Sequence, residues 1–394
     1  MKKIKLNEQG GGHSNTPPAN YKSKKFDEIV SHGIDTLKIG FVASMKKEFM
    51  EFLDHKKEVA QDPESEEDPI LRINNYDFIV KSHGSRNYRY IIKNDLMNIS
   101  IIDRVKNDSY PNVMIIISSQ FLWSQGVERA YNKVRNTLVD ITTSIVSEKV
   151  SRVDMCVDIA GNNIEQTLTD RNIVDDFVTR ATGIQFFEQH RKNTGYVVGS
   201  DNSKIKLRIY DKAREIEQSN KYWFYDIWEI DKNSDIPVWR IEFQLNRKFF
   251  SNYMLPDPKT GELHTVETFN DLMNVLYDLW DYLVNDWFSI RKQDDSNTSR
   301  RTIYPLWQLV QSMDSFLAQS EKVGAVRKTI RRVTSEQLIM NVQGYFTSIM
   351  AVEGIKDLKL GLKYIMHTTW EILKDRFEDD LLRKMPKYQI TQVA

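Results

Sequence analysis

Cysteine is almost missing from this sequence: Cys156 stands alone among 394 residues, which excludes an intramolecular disulfide and a cysteine-built zinc cage. A reducing, cytoplasmic setting suits that usage. Net charge is missing as well. The 55 Lys and Arg are balanced by 55 Asp and Glu, so the whole-molecule field does not advertise a nucleic-acid partner, and any phosphate binding must come from local cation clusters. No apolar run reaches the roughly 18 residues that a spanning helix needs. The Met1-Lys-Lys start leads into Gly10-Gly-Gly12 and not into a signal-peptide core, so neither secretion nor membrane insertion is expected. The seven histidines are scattered, with no His-x-His pair and no His-Glu-x-x-His motif, which leaves them as surface or core residues.

What is present is ordinary for a globular protein: 40% hydrophobic and 28% charged residues, in a chain longer than one typical domain. Residues 1–33 are rich in Gly, Lys, Asn, Ser and Pro and read as a flexible tail, because they cannot offset the entropy of ordering. A core domain over 34–291, a polar linker over 292–302 and a helical region over 303–394 follow. Alternation predicts a strand at Ile34–Phe41, and periodicity predicts a helix over about Lys46–Val59. Short Ile-, Val- and Tyr-rich runs between Tyr76 and Ile117 read as an antiparallel meander. Val127, Tyr131, Val134, Leu138, Ile141 and Ile145 predict a helix over about Gln125–Val146. Further expectations are a helix near Arg171–Ala181, strands near Ile184–Phe187, Tyr196–Val198, Lys204–Tyr210 and Val238–Leu245, and a long helix carrying Phe269, Leu272, Leu276, Leu279, Leu283 and Trp287. The fold class is therefore α+β, an antiparallel sheet with helices on one face and the other face open.

Three strands place chemistry on that open face, because side chains alternate across a strand. In Ser151–Ile159 the residues Val153, Met155, Val157 and Ile159 point one way, and Arg152, Asp154, Cys156 and Asp158 the other. In Lys204–Lys212 the apolar Ile205, Leu207 and Ile209 oppose Lys204, Lys206, Arg208, Tyr210 and Lys212. In Val238–Asn246 the apolar set is Trp239, Ile241, Phe243 and Leu245, leaving Arg240, Glu242, Gln244 and Asn246. If the three strands pair, a tyrosine among cations faces three carboxylates. Asp154, Asp158 and Glu242 would suit Mg²⁺ or Mn²⁺, which polarise a phosphoryl oxygen, while Lys204, Lys206, Arg208 and Arg240 would hold phosphate and favour the tyrosine as nucleophile. The same alternation also occurs in any half-exposed antiparallel sheet with no chemistry at all.

The segment Gly199-Ser-Asp-Asn-Ser-Lys-Ile-Lys-Leu-Arg-Ile-Tyr-Asp-Lys212, the segment Val238-Trp-Arg-Ile-Glu-Phe-Gln-Leu245 and the upstream Ser151-Arg-Val-Asp-Met-Cys-Val-Asp158 together resemble the replication initiation factor family. That family includes Rep_trans-type rolling-circle plasmid initiators and the nicking relaxases of conjugative elements. The resemblance covers roughly 34–290 and implies a Rep-like nicking domain. Tyr210 would be the nucleophile that leaves a 5′-phosphotyrosine and a free 3′-OH, with Arg208 and Lys212 against the phosphate and a divalent metal held among Asp154, Asp158 and Glu242. It also implies origin DNA as substrate, both duplex and single-stranded at the nick site, and a host helicase with the replication machinery as partners. In the loop before the tyrosine, Asp201 stands where the family often has arginine.

Beyond the linker, Arg300 and Arg301 form one basic cluster and Arg327, Lys328, Arg331 and Arg332 another, each able to bind backbone phosphate or simply to solvate a helix face. The helices after Ser335 are left open between duplex origin binding and homodimer contacts. A non-catalytic origin-binding or partition protein would explain the cations but not three carboxylates beside a tyrosine. A tyrosine recombinase would keep its tyrosine near the carboxyl end, whereas Tyr210 is mid-chain.

Overall fold

The computed structural model describes residues 27–85, 87–102, 110–257, 259–317, 322–327, 335–374, 377–378 and 381. They belong to two compact units, Met1–Val326 and Arg327–Ala394. In the first unit β1 (Glu28–Met45) and α1 (Lys47–Gln61) precede a meander of β2 (Ile70–Ile73), β3 (Tyr76–Val80), β4 (Tyr90–Lys93), β5 (Met97–Ile101) and β6 (Val113–Ile117). Helices α2 (Ser119–Gln125) and α3 (Val127–Ile141) lead to β7 (Thr142–Ala160), α4 (Asn162–Thr169) and β8 (Phe177–Thr179). Next come β9 (Ile184–Gln189), β10 (Lys192–Val198), β11 (Ile205–Asp211), α5 (Lys212–Ser219), α6 (Phe224–Ile227) and β12 (Val238–Asn246). The unit continues through α7 (Arg247–Phe250), β13 (Tyr253–Pro256), β14 (Leu263–Thr265), α8 (Phe269–Asn274), α9 (Leu276–Asp281), β15 (Phe288–Ile290) and α10 (Pro305–Gln311).

The fold is α+β, built on one antiparallel sheet of 11 strands in the order β2-β3-β4-β5-β6-β1-β7-β12-β11-β10-β9. The alternation read from β7, β11 and β12 is obeyed. Val153, Met155, Val157 and Ile159, Ile205, Leu207 and Ile209, and Trp239, Ile241, Phe243 and Leu245 are all buried, none more than 3% exposed. The stripe of α3 joins the same core through Val127, Val134, Leu138 and Ile141. The opposite face is open only in part. A second, smaller apolar cluster of Trp123, Cys156, Ile216, Phe224, Trp228 and Val238 covers the end of the sheet where Asp158 lies.

Three expected helices end differently. The helix expected to reach Val146 stops at Ile141, because the β-branched run from Thr142 pairs with β1 instead, Thr142 lying opposite Met45. The helix expected near Arg171–Ala181 is one 3₁₀ stretch, Arg171–Asp176, followed by β8, whose Phe177 pairs with Ile290 of β15. The long helix through Trp287 is broken at Val275 (φ −108°, ψ 6°) and finishes as π-helix over Tyr282–Trp287. All six residues of its stripe are nonetheless buried, so periodicity reported burial correctly and continuity wrongly.

The first unit does not end where a linker was read at 292–302. Arg291 bridges to Ile303, and Leu306, Trp307, Val310, Phe316 and Leu317 lie in the main core. At about 1.5–3 kcal/mol for each large apolar side chain, their loss would rival a whole domain's stability of roughly 5–15 kcal/mol. A fragment ending at Asn297 is therefore expected to be unfolded by circular dichroism, while one ending at Val326 keeps a cooperative thermal transition. Folding of the shorter fragment would show these residues to be peripheral.

His32 of β1 rests against the ring of Phe316 at 5.5 Å, with Nδ1 buried and without a partner among the described residues. Burial pulls its pKa down from 6.5 to about 4. A base with a depressed folded-state pKa binds its proton more readily when unfolded, so its contribution is complete above pH 6.5 and is lost as pH falls toward 4. At 1.36 kcal/mol per unit the loss approaches about 3 kcal/mol. Urea unfolding at pH 7 and pH 5 should show a smaller acid penalty for His32→Leu than for the wild type; equal penalties would clear His32 of any part.

The second unit carries α11 (Ser335–Val352) and α12 (Leu358–Leu373). The turn between them passes through Gly354 at φ 67°, a left-handed conformation that glycine adopts without penalty. A Cβ on Gly361 would fall 2.8 Å from Met350 Sδ, so the two helices approach closely there. Among the described residues no helix is long and apolar enough to cross a membrane.

Candidate active site

Strands β7, β12 and β11 are sheet neighbours, the condition on which the sequence reading of a shared face depended. Asp154 lies opposite Gln244, Cys156 opposite Glu242, and Asp158 opposite Arg240. Across the next pair, Lys206 lies opposite Gln244, Arg208 opposite Glu242, and Tyr210 opposite Arg240. Directly opposed residues share a face. The register therefore aligns rows, of which Cys156, Glu242 and Arg208 form one and Asp158, Arg240 and Tyr210 the next. On β10, Gly195 faces Tyr210, and a Cβ there would stand 2.9 Å from Ile209 O and 3.1 Å from Tyr210 Cβ. Glycine keeps the ground beside the tyrosine clear.

A pocket of about 510 Å³ opens on this face, lined by Tyr210, Arg208, Glu242, Asp154, Arg152 and Lys212 among others. The Tyr210 hydroxyl donates to Glu242 Oε2 at 3.0 Å. Arg208 bridges the carboxylates, its Nη2 donating to Glu242 Oε1 at 2.6 Å and to Asp154 Oδ2 at 3.2 Å. Arg152 Nε donates to Asp154 Oδ1 at 2.8 Å. Burial pushes the Asp154 carboxyl up to about 6, and the Glu242 charge adds to that, against the pull of Arg152 and Arg208. Burial, and then the Glu242 charge, hold the Tyr210 hydroxyl well above the ordinary phenol range. The resting tyrosine is a neutral phenol whose hydroxyl donates to a carboxylate acceptor.

Asp158 and Arg240 do not belong to this open part. Both are 0% exposed. Asp158 Oδ1 accepts from Arg240 Nε at 2.6 Å, and Oδ2 accepts from Arg240 Nη2 at 2.7 Å, Ser31 Oγ at 2.7 Å and Trp228 Nε1 at 2.9 Å. Asp158 is fully buried, both its oxygens are engaged by these donors, and it does not line the pocket, which corrects the sequence reading of Asp158 as a ligand. Arg240 is likewise corrected from a DNA contact to a buried ion pair. Its Nη1 reaches Asp35 Oδ1 at 2.7 Å, an acceptor that also takes Ser119 Oγ at 2.8 Å and Trp123 Nε1 at 3.1 Å. Although burial opposes it, the charges of Arg240, Lys212 and Lys221 hold the Asp35 carboxyl below its usual range.

Lys212 was read as the last residue of the strand face. Asp211 instead caps α5, its Oδ1 accepting from Arg214 N at 3.0 Å, and the chain turns. Lys212 thereby points inward, 1% exposed, paired with Glu215, its Nζ 4.5 Å from the Phe224 ring centroid and 5.7 Å from that of Tyr210. Burial, then the charge of Arg240, lower its pKa. Lys206 pairs with Asp201 of the loop before β11, so the acidic residue at that family position engages the neighbouring cation. Lys204 is exposed, as is Arg300, while Arg301 Nε donates to Asp295 O at 2.9 Å; none of these lines the pocket. Arg327 lies in the second unit, and Lys328, Arg331 and Arg332 lie outside the described residues.

Several pocket residues lay outside the candidate set read from the sequence, Asp35 and Arg152 among them. Asp35 stands at a break in the β1–β7 register between Ile34 and Thr36, and such a bulge re-aims a side chain without leaving a local signature. Arg152 was legible as facing the carboxylates but had no assigned part. For a divalent ion, Asp154 and Glu242 remain. Among the described residues no three His, Cys, Asp or Glu side chains converge, yet Mg²⁺ commonly takes one or two carboxylates and completes its shell with water and substrate phosphate. Asp154 and Glu242 would hold such an ion, which would supply charge to polarise a phosphoryl oxygen; both carboxylates now engage Arg208, whose side chain is 29% exposed.

No protein-family model matches the chain, and no curated protein matches it. Among solved structures, a rolling circle replication initiator protein from Geobacillus stearothermophilus is similar to it at 15% identity and a TM-score of 0.40, over 74% of this chain and 99% of that one.

Proposed function

We propose that this protein is a rolling-circle replication initiator or relaxase that nicks one strand of origin DNA, with Tyr210 as nucleophile. The observation that carries the reading is the Tyr210 hydroxyl donating at 3.0 Å to Glu242, on a pocket floor shared with Arg208 and Asp154. The three motifs that resemble the replication initiation factor family converge at that floor. In the step inferred, the Tyr210 oxygen attacks phosphorus as its proton passes to Glu242. The bond to the 3′ oxygen breaks, leaving a 5′-phosphotyrosine and, once the 3′ oxygen gains a proton, a free hydroxyl. Arg208, once turned from the carboxylates to the phosphate, offsets charge growing on its oxygens. Asp154 and Glu242 would hold Mg²⁺ or Mn²⁺, which when bound polarises the phosphoryl group. The enzyme would then be a nicking-closing strand transferase of a plasmid or conjugative element, working with a host helicase.

The test is cleavage of a supercoiled plasmid carrying the cognate origin. The wild type should nick in Mg²⁺ or Mn²⁺ and fail in chelator. Glu242→Gln removes the proton acceptor with little change of shape and should slow nicking by about 10²–10⁴-fold while duplex binding persists. Normal nicking by Glu242→Gln would move the base elsewhere. Binding without nicking by the wild type would make the protein a non-catalytic origin binder.

A further inference from the structure

A second cavity, of about 480 Å³, shares Thr36 and Arg152 with the Tyr210 pocket, so the two form one trough across the sheet. Its floor is set by register: Lys38 lies opposite Ile116 on one side and Arg152 on the other, and Arg152 lies opposite Asn246. This row sits six residues along β7 from the Asp158 row that contains Tyr210, about 20 Å at the rise of an extended strand.

Its charges are unbalanced in a specific way. Arg152 is engaged by Asp154, Arg247 by Glu267 and Asp201 by Lys206. Lys38 and Lys248 have no acidic partner among the described residues, though both line the cavity. Lys38 lies directly opposite Arg152, and since Asp154 engages Arg152, Lys38 is the cation of that pair left without an anion among the described residues. Burial, then Arg152, lower the Lys38 pKa accordingly. Beside them Met114 and Ile116 of β6 present half-exposed apolar side chains on the same floor, with the side-chain amide of Asn202 at the rim.

From this juxtaposition we infer that the trough is a single-stranded DNA track, holding the stretch next to the nick with its phosphates on Lys38 and Lys248 and its unstacked bases against Met114 and Ile116. The track deepens the nicking proposal and rests on it for its purpose. Its chemistry does not depend on Tyr210, because phosphate and base-face contacts form whether or not a bond is cut. A duplex keeps its base faces stacked inside and would leave Met114 and Ile116 unused.

The experiment uses full-length protein in a Tyr210→Phe background and a fluorescein-labelled oligodeoxythymidine of about 20 nucleotides, read by anisotropy from roughly 50 to 200 mM NaCl. Lys38→Ala with Lys248→Ala should weaken binding at least about tenfold near 100 mM salt and flatten the log K against log salt slope by about 1.4, at ~0.7 per single-strand phosphate contact. Removing the exposed Lys47 and Lys232, neither of which lines the trough, in the same way should change affinity less than about twofold, since exposed charges outside a binding site act only through screened fields. Met114→Ala should weaken binding without altering the slope. Unfolding midpoints of all variants are measured alongside. If the Lys38 and Lys248 pair behaves like the Lys47 and Lys232 pair, the track is overturned, even where the wild type forms a normal phosphotyrosine adduct. If the pair loses duplex binding as much as single-strand binding, the surface is a duplex site and the inference fails. If the expected loss is found but the wild type forms no adduct, the track stands and the nicking proposal falls.

Discussion

Tyr210→Phe is expected to keep the fold and DNA binding and to form no covalent DNA adduct. The substitution removes one oxygen from a half-buried ring whose hydroxyl, among the described residues, donates to Glu242, so the stability change should be about 1 kcal/mol. The chemical change is total, because no other hydroxyl occupies the position opposite Arg240. In wild type, labelled origin DNA with Mg²⁺ or Mn²⁺ should yield a complex joined through a 5′-phosphate, and the peptide left on the DNA after proteolysis should contain Tyr210. In the variant, nicking should fall on the order of 10⁴-fold, with at most residual hydrolysis by metal-positioned water. Adducts at the normal rate in Tyr210→Phe would assign the nucleophile to another tyrosine.

The second large effect concerns stability. Asp158→Ala should lower the unfolding free energy by about 3–5 kcal/mol, because it leaves the buried Arg240 guanidinium with Asp35 alone, removes the acceptor of the Ser31 hydroxyl and leaves Trp228 Nε1 only its 3.2 Å bond to Ser31 Oγ. That is a large part of a typical domain's roughly 5–15 kcal/mol. Arg240→Ala should cost a similar amount from the other side. Replacing the pair together, Asp158→Leu with Arg240→Met, should be less damaging than the sum of the single changes, since neither charge is then left unpaired. Urea unfolding of the four proteins measures this. Asp158→Ala with unchanged stability and selectively lost nicking would return Asp158 to the metal site.

How far the site could be read beforehand depended on which side of a strand a residue occupies. The alternation in β7, β11 and β12 placed Asp154, Glu242, Arg208 and Tyr210 on one face, and the register aligns them there. The same rule also put Asp158 and Arg240 on that face, correctly. It was silent on the layer of Trp123, Phe224 and Trp228 that closes over them. Lys212 was misplaced because one residue decides the matter: Asp211 can continue a strand or cap a helix, and here it caps. Asp35 could not be found by alternation at all, since it sits where the alternation of β1 is interrupted.

Period and composition, both local properties, were enough to determine the α+β class, the buried faces of the three strands and the residues able to share a site with Tyr210. Tertiary structure alone decided which of those residues meet solvent and which become a buried ion pair, and where the long stripe through Trp287 breaks. It also decided that the segment after 302 completes the first core. The difference has one physical cause. Which way a side chain points is set by its own backbone and neighbours two residues away. What covers it is set by chain packed from far along the sequence, as Trp228 is against Asp158 and Phe316 against His32.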